Sequence, residues 1–161
     1  RIPGVKVEVL TPDFHARPEL IRTVVNARPT VYNHNLETVE RLQKKVRPQA
    51  AYKRSLQGLE TIKRLDSEMT TKSGLMLGLG ETCGEVYQTA RDLRDCGCDI
   101  LTLGQYLTPS QAHLEIERFV EPEEFEEIAS ELKSFGFREV FAGPYVRSSY
   151  HAGETFLNSA G

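Results

Sequence analysis

Short β-branched runs alternate with helical stripes along most of the chain. Residues 5–10 (VKVEVL) end at Thr11-Pro12-Asp13, which predicts a strand entering a loop. A helix is predicted over residues 18–27 and a second strand over 30–35. Helical sequence follows over 37–46 and, after Arg47-Pro48, over 51–65, where Tyr52, Leu56, Leu59 and Ile62 recur at three- and four-residue spacing. Residues 71–79 predict a third strand. Thr82-Cys83-Gly84-Glu85 has the form of a capping box ahead of the stripe Val86, Ala90, Leu93, and Gly97 closes that helix. A fourth strand is predicted over 99–103. Glu121-Pro122 opens a helix whose Phe125, Ile128, Ala129, Leu132 and Phe135 form one stripe, stopped by Gly136, and residues 138–142 give a fifth strand. The alternating stretch 113–120 reads as an extended connection.

Strands alternating with helices imply right-handed βαβ units and a parallel sheet with its helices outside. Four or five units are fewer than the eight of a closed barrel and suit a doubly wound sheet equally well. The pattern leaves both topologies open.

Composition narrows the function classes. The chain has 161 residues, 39% hydrophobic and 27% charged, with 12 Gly and 8 Pro, which is the range of one globular domain. A net charge of -3 provides no basic footprint for nucleic acid. No apolar run approaches the ~20 residues of a membrane span and residues 1–20 lack a signal-peptide core, so a cytoplasmic protein without membrane partners is expected. The three cysteines Cys83, Cys96 and Cys98 are odd in number and sparse, which argues against a disulfide framework, and Cys96 and Cys98 are separated by a single residue where cluster motifs leave two or more, so all three read as structural thiols.

Unusual polar residues gather at the C-terminal ends of the strands: Thr11-Pro12-Asp13 after the first, Asn33, His34, Asn35 and Glu37 within or after the second, then Gly78, Gly80 and Glu81, then Gly104, Gln105 and Tyr106, then Gly143 to Tyr150 with Arg147, Ser148 and Ser149. In parallel α/β folds this edge is where loops converge and ligands bind. Two amides and a carboxylate suit a diol such as ribose, and glycines admit a flat ring or phosphate to the backbone. The same residues also suit ordinary turns. The glycines form neither a dinucleotide fingerprint nor a P-loop. Two other readings stay open at this point: a barrel hydrolase or lyase using Asp13, Glu37 and Glu81 as acid-base groups, and a non-catalytic module that binds a nucleotide or a carrier domain.

Four segments, NHNLET (33–38), KSGLMLGLGET (72–82), LTLGQYLTPS (101–110) and GPYVRSSYHA (143–152), occur in one order and, with VEVLTPDF (7–14), resemble the lipoyl synthase family of radical S-adenosylmethionine enzymes. The resemblance implies a partial TIM-type barrel of parallel βα units over residues 1–142 and a C-terminal tail over 143–161. It implies an enzyme that inserts two sulfur atoms, at C6 and C8, into an octanoyl chain on a lipoyl carrier domain. The implied cofactors are S-adenosylmethionine and two [4Fe-4S] clusters, the auxiliary one giving up the sulfur. The implied partners are octanoylated carrier domains of 2-oxoacid dehydrogenase acyltransferases and of the glycine cleavage carrier protein, and an electron donor protein.

Transferred residue by residue, the resemblance makes Asn35 and Glu37 the ribose pair. Gly74, Met76, Gly78 and Glu81 match the strand motif that supports the adenine, and Gln105 and Tyr106 line the same cavity. Arg54 is assigned to the cofactor carboxylate through guanidinium chemistry. Ser149, or its neighbour Ser148, within Arg147-Ser148-Ser149-Tyr150, is assigned to an iron of the auxiliary cluster. The family's two cysteine triples are absent, so the chain reads as the C-terminal part of such an enzyme. Alone it is expected to be inactive and to associate through an uncovered strand edge.

Overall fold

Among the described residues, five parallel strands lie side by side in the order in which they occur along the chain. The structure is a computed structural model that describes residues 4–149. The elements are β1 (Glu8–Leu10), α1 (Pro18–Asn26), β2 (Val31–Asn33), α2 (Gln43–Val46), α3 (Tyr52–Leu65), β3 (Thr70–Leu77), α4 (Cys83–Asp95), β4 (Ile100–Gln105), α5 (Pro122–Lys133) and β5 (Glu139–Gly143). The order β1-β2-β3-β4-β5 never reverses, which distinguishes a winding barrel wall from a doubly wound sheet. The architecture is a partial barrel of the TIM type.

One face of the wall is apolar and packs beneath the helices. Leu75 and Leu77 of β3 and Leu101 and Leu103 of β4 meet Leu59 and Ile62 of α3, Leu93 of α4 and Phe125 of α5 in a single core. Alternation then sends Lys72, Gly74 and Met76 of β3 to the other face. At the far end of the wall, Lys63 donates to Asp99 at 2.8 Å and to the Met69 carbonyl at 2.9 Å, tying α3 to the start of β4.

Two of the expected elements differ from the structure. The first strand is only Glu8–Leu10, and Val5 and Val7 are exposed, because β1 is an edge with a neighbour on one side among the described residues. Residues 37–39 are not helical. Glu37 adopts φ +72, donates its amide to the Gly74 carbonyl at 2.9 Å and accepts the Met76 amide at 2.8 Å. Those groups serve β3, so helical geometry begins only with the short turn Glu40–Leu42 that leads into α2.

The start of α4 follows its sequence closely. The Thr82 hydroxyl accepts the Glu85 amide while the Glu85 carboxylate accepts the Thr82 amide. Arg41 binds that carboxylate at 2.6 and 2.9 Å and the Gly80 carbonyl at 2.8 Å, and its hydrogen bond holds the Glu85 carboxyl down at about 2. Among the described residues no helix is long and apolar enough to cross a membrane.

Replacing Thr82 with Ala is expected to lower unfolding free energy by about 1 kcal/mol, and Phe125→Ala, at a fully buried position, by about 3–5 kcal/mol; urea unfolding followed by circular dichroism checks both. The β1 edge is expected to mediate self-association, so Val7→Lys should reduce the apparent mass in size-exclusion chromatography. An unchanged elution profile would remove the edge from consideration.

Candidate functional site

A cavity of about 420 Å³ opens at the carboxy-terminal edge of the wall, within the size range of small-ligand sites. Every strand or its following loop contributes: Leu10 at the end of β1, Asn35 and Glu37 after β2, Gly74 to Met76 from β3, Thr102, Gly104 and Gln105 from β4 with Leu107, and Val146 to Ser148 after β5.

Close approach shapes its wall. A Cβ on Gly74 would stand 2.8 Å from the Thr102 hydroxyl and 3.0 Å from Asn35 Oδ1, so glycine is what lets Asn35 lie over β3. A Cβ on Gly104 would collide with the Val146 carbonyl, which brings the segment after β5 back across β4. Arg47 donates to the Asn35 carbonyl at 2.9 Å and fixes that turn, while Asn35 Oδ1 is buried with no partner. Burial raises the Glu37 carboxyl above its ordinary range, with a hydrogen bond from the Asn35 side chain and the charge of Arg47 partly offsetting it. The result is an unsatisfied amide oxygen and a desolvated carboxyl beside an open strand, flanked by Leu10, Met76 and Leu107. Those polar groups, accepting from hydroxyls, and the apolar flanks fit the hydroxyls and flat base of a nucleoside.

The other anticipated residues act around this cavity. Gly78 has φ +96, and a Cβ there would collide with the Gln105 amide. The Glu81 carboxylate accepts the Gly78 and Leu79 amides at 2.6 and 2.9 Å, so it clamps the turn after β3. Gln105 lines the cavity, and its amide is spent on the chain: Nε2 donates to the Tyr106 and Arg118 carbonyls and Oε1 accepts the Val120 amide at 2.9 Å. Tyr106 is buried and donates to the Leu114 carbonyl at 2.9 Å, holding the long connection down.

Arg54 lies outside the cavity lining. Its Nε binds Asp13 at 2.6 Å and its Nη2 donates to the Gln49 carbonyl at 2.9 Å. Burial pushes the Asp13 carboxyl up, but the His15 amide and Arg54 outweigh it and leave the carboxyl below its usual value. Asp13, Glu37 and Glu81 therefore do not converge: one is an ion-pair partner, one a turn clamp, and Glu37 alone lines the cavity. Ser148 lines it, Ser149 is exposed beside it, and Tyr150 lies outside the described residues.

His34 donates from Nδ1 to the Thr11 carbonyl and is held neutral by burial. Cys83 is exposed, burial pushes the Cys96 thiol up to about 12, and the fully buried Cys98 thiol is raised as well. No cysteine lines the cavity, and no three His, Cys, Asp or Glu side chains among the described residues are grouped to hold a metal ion. Sequence reasoning passed over Leu10, Thr102, Leu107 and Val146. Thr102 had a signal: it stands two residues before Gly104 on a predicted strand and so shares its face.

The family model described as Radical SAM superfamily matches residues 1–93. The chain is 54% identical over 152 residues to the lipoyl synthase of Caldanaerobacter subterraneus subsp. tengcongensis, covering 94% of this chain and 54% of that protein. It is 56% identical over 151 residues to lipoyl synthase 2 of Gloeobacter violaceus, covering 94% and 52%. For the lipoyl synthase of Thermus thermophilus the identity is 53% over 160 residues, covering 99% and 50%. The chain spans about half the length of these relatives.

A carboxyl raised by burial holds its proton more tightly in the folded than in the unfolded chain, so its contribution to stability falls as pH rises. Glu37→Gln removes that penalty. Its thermal midpoint is expected to match the parent near pH 4 and to exceed it at pH 8; equal midpoints at both pH values would show that Glu37 is not desolvated.

Proposed function

Because the chain belongs to the Radical SAM superfamily, we propose that the cavity holds S-adenosylmethionine and that the protein acts as the cofactor-binding part of a lipoyl synthase. The observation that supports this most directly is the unpartnered, buried Asn35 Oδ1 beside Glu37 over the bare backbone of Gly74. Asn35 and Glu37 take the ribose hydroxyls. Gly74 and Met76 face the adenine, and Gly78, Glu81, Gln105 and Tyr106 hold the wall in shape. Arg54 acts from a distance, by fixing the loop at Asp13.

In this reading the cofactor supplies a deoxyadenosyl radical, the hard step that protein side chains cannot perform. What the chain itself contributes is binding, orientation and exclusion of water. The same reading carries the two iron-sulfur clusters of the family, with Ser149 or Ser148 as an iron ligand. Cys83, Cys96 and Cys98 are not suited to hold either cluster, being dispersed and, for Cys96 and Cys98, held as protonated thiols. The acceptor of the two sulfur atoms is an octanoylated carrier domain, electrons come from a donor protein, and the location is the cytoplasm.

Isothermal titration with S-adenosylhomocysteine tests the cavity without iron. Asn35→Ala is expected to weaken binding about tenfold, the order of one to two lost hydrogen bonds, and Arg54→Lys to leave it within about threefold. Equal affinity of the Asn35 variant and the parent, or no binding at all, would sink the assignment.

A further inference from the structure

A charged group lies under the cavity and takes no part in the contacts assigned above. Lys72 is 1% exposed, and its ammonium stands 3.2 Å from each carboxylate oxygen of Glu8. Glu8 Oε1 also accepts the Asn33 side-chain amide at 2.9 Å, and Asn33 is as buried as the lysine. These three residues come from β3, β1 and β2. Each stands two positions before a residue that lines the cavity: Gly74, Leu10 and Asn35 respectively. Two positions along a strand span about 7 Å. The ion pair is therefore the layer directly beneath the cavity wall.

Burying such a pair is a weak source of stability, since apolar residues of the same volume commonly do as well. Its charges nevertheless act strongly on their surroundings, because little water screens them. Lys72 alone would place an uncompensated positive charge under a site for a cationic ligand. Glu8 cancels it, and Asn33 holds Glu8 in place.

We propose that the Lys72–Glu8 pair, braced by Asn33, sets the charge balance of the cavity floor and thereby the preference for a sulfonium cofactor over its neutral thioether counterpart. The inference rests on the reading of the cavity as the S-adenosylmethionine site. The two ligands differ only in the sulfonium methyl group and its charge, and the methyl contribution is common to all variants, so the change in their affinity ratio from variant to variant reports the charge. Glu37 at the cavity and Glu139 on β5 remain unchanged in every variant and drop out of the comparison.

Titration calorimetry on the chain with S-adenosylmethionine and with S-adenosylhomocysteine measures that ratio. Glu8→Gln leaves Lys72 unopposed and is expected to shift it about tenfold against the sulfonium. Lys72→Met leaves Glu8 unopposed and should shift it in favour of the sulfonium, and the double variant should return to within about twofold of the parent. Asn33→Ala removes the brace and keeps both charges, so a fall in the ratio there, toward that of Glu8→Gln, supports the inference even where a single pair variant does not fold. An unchanged ratio in the folded variants, with only the thermal midpoint lowered, overturns it and leaves a merely structural pair. Absence of binding by the unaltered chain overturns the cavity reading and this inference together.

Discussion

The close approach at Gly74 is the constraint on which the site depends. β3 lies in the middle of the wall, paired on one side with β2 and on the other with β4. Its neighbours lean over it from both sides, Asn35 from the segment after β2 and Thr102 from β4, and both would meet any side chain at position 74. With the side chain missing, the strand backbone becomes the floor of a cavity. Glu37 then completes the arrangement by hydrogen bonding its own amide to the Gly74 carbonyl and its carbonyl to the Met76 amide. The left-handed backbone at Glu37 is the local cost of this, sustained because two backbone hydrogen bonds depend on it.

Around that floor, most of the polar side chains at the carboxy-terminal edge are engaged in holding loops. Glu81 binds two amides of its own turn, Gln105 binds three backbone groups, Tyr106 reaches Leu114, and Asp13 is paired with Arg54. Engaged groups of this kind give rigidity to a site whose recognition then falls to very few atoms. Among the side chains that line the cavity, Asn35 Oδ1 is buried without a partner and the Glu37 carboxyl is desolvated, and in the reading proposed above these are groups that a ligand meets. Pre-organisation of that sort lowers the ordering that binding would otherwise require.

The fold was legible in the sequence wherever local rules agreed. Thr82 and Glu85 announced a helix start, Gly97 a helix end with φ +84, and the stripe through Phe125, Ile128 and Leu132 the buried side of α5. Strand order was not legible, because the βα alternation is common to barrels and doubly wound sheets, and hydrogen bonding between distant segments decides it. The cavity was legible as a set of strand ends and loops, since all five polar groups lie at or just past the ends of strands. Which residues line it was not. Arg54 carries the right chemistry and is taken by Asp13. Glu37 looked like the start of a helix because its backbone bonds lie with residues 74 and 76, about forty positions away, and no local pattern reports them.

The two faces of β3 show how one strand serves stability and function at once. Toward the helices it presents Leu75 and Leu77, buried among residues of α3, α4 and α5. Toward the other side it presents Lys72, Gly74 and Met76. An ion pair, a missing side chain and a flexible thioether add little to a core, and a glycine inside a strand weakens it by roughly 0.5–1 kcal/mol relative to alanine. A strand so compromised on one side holds its place because the other side is close-packed. Six residue pairs to β4 on one flank, and three pairs to β2 followed by the Glu37 bridge to Leu75 on the other, keep its backbone fixed to the depth where a ligand would touch it. Stability is thus concentrated on the helix side, and the opposite face is free to be polar, open and chemically specific.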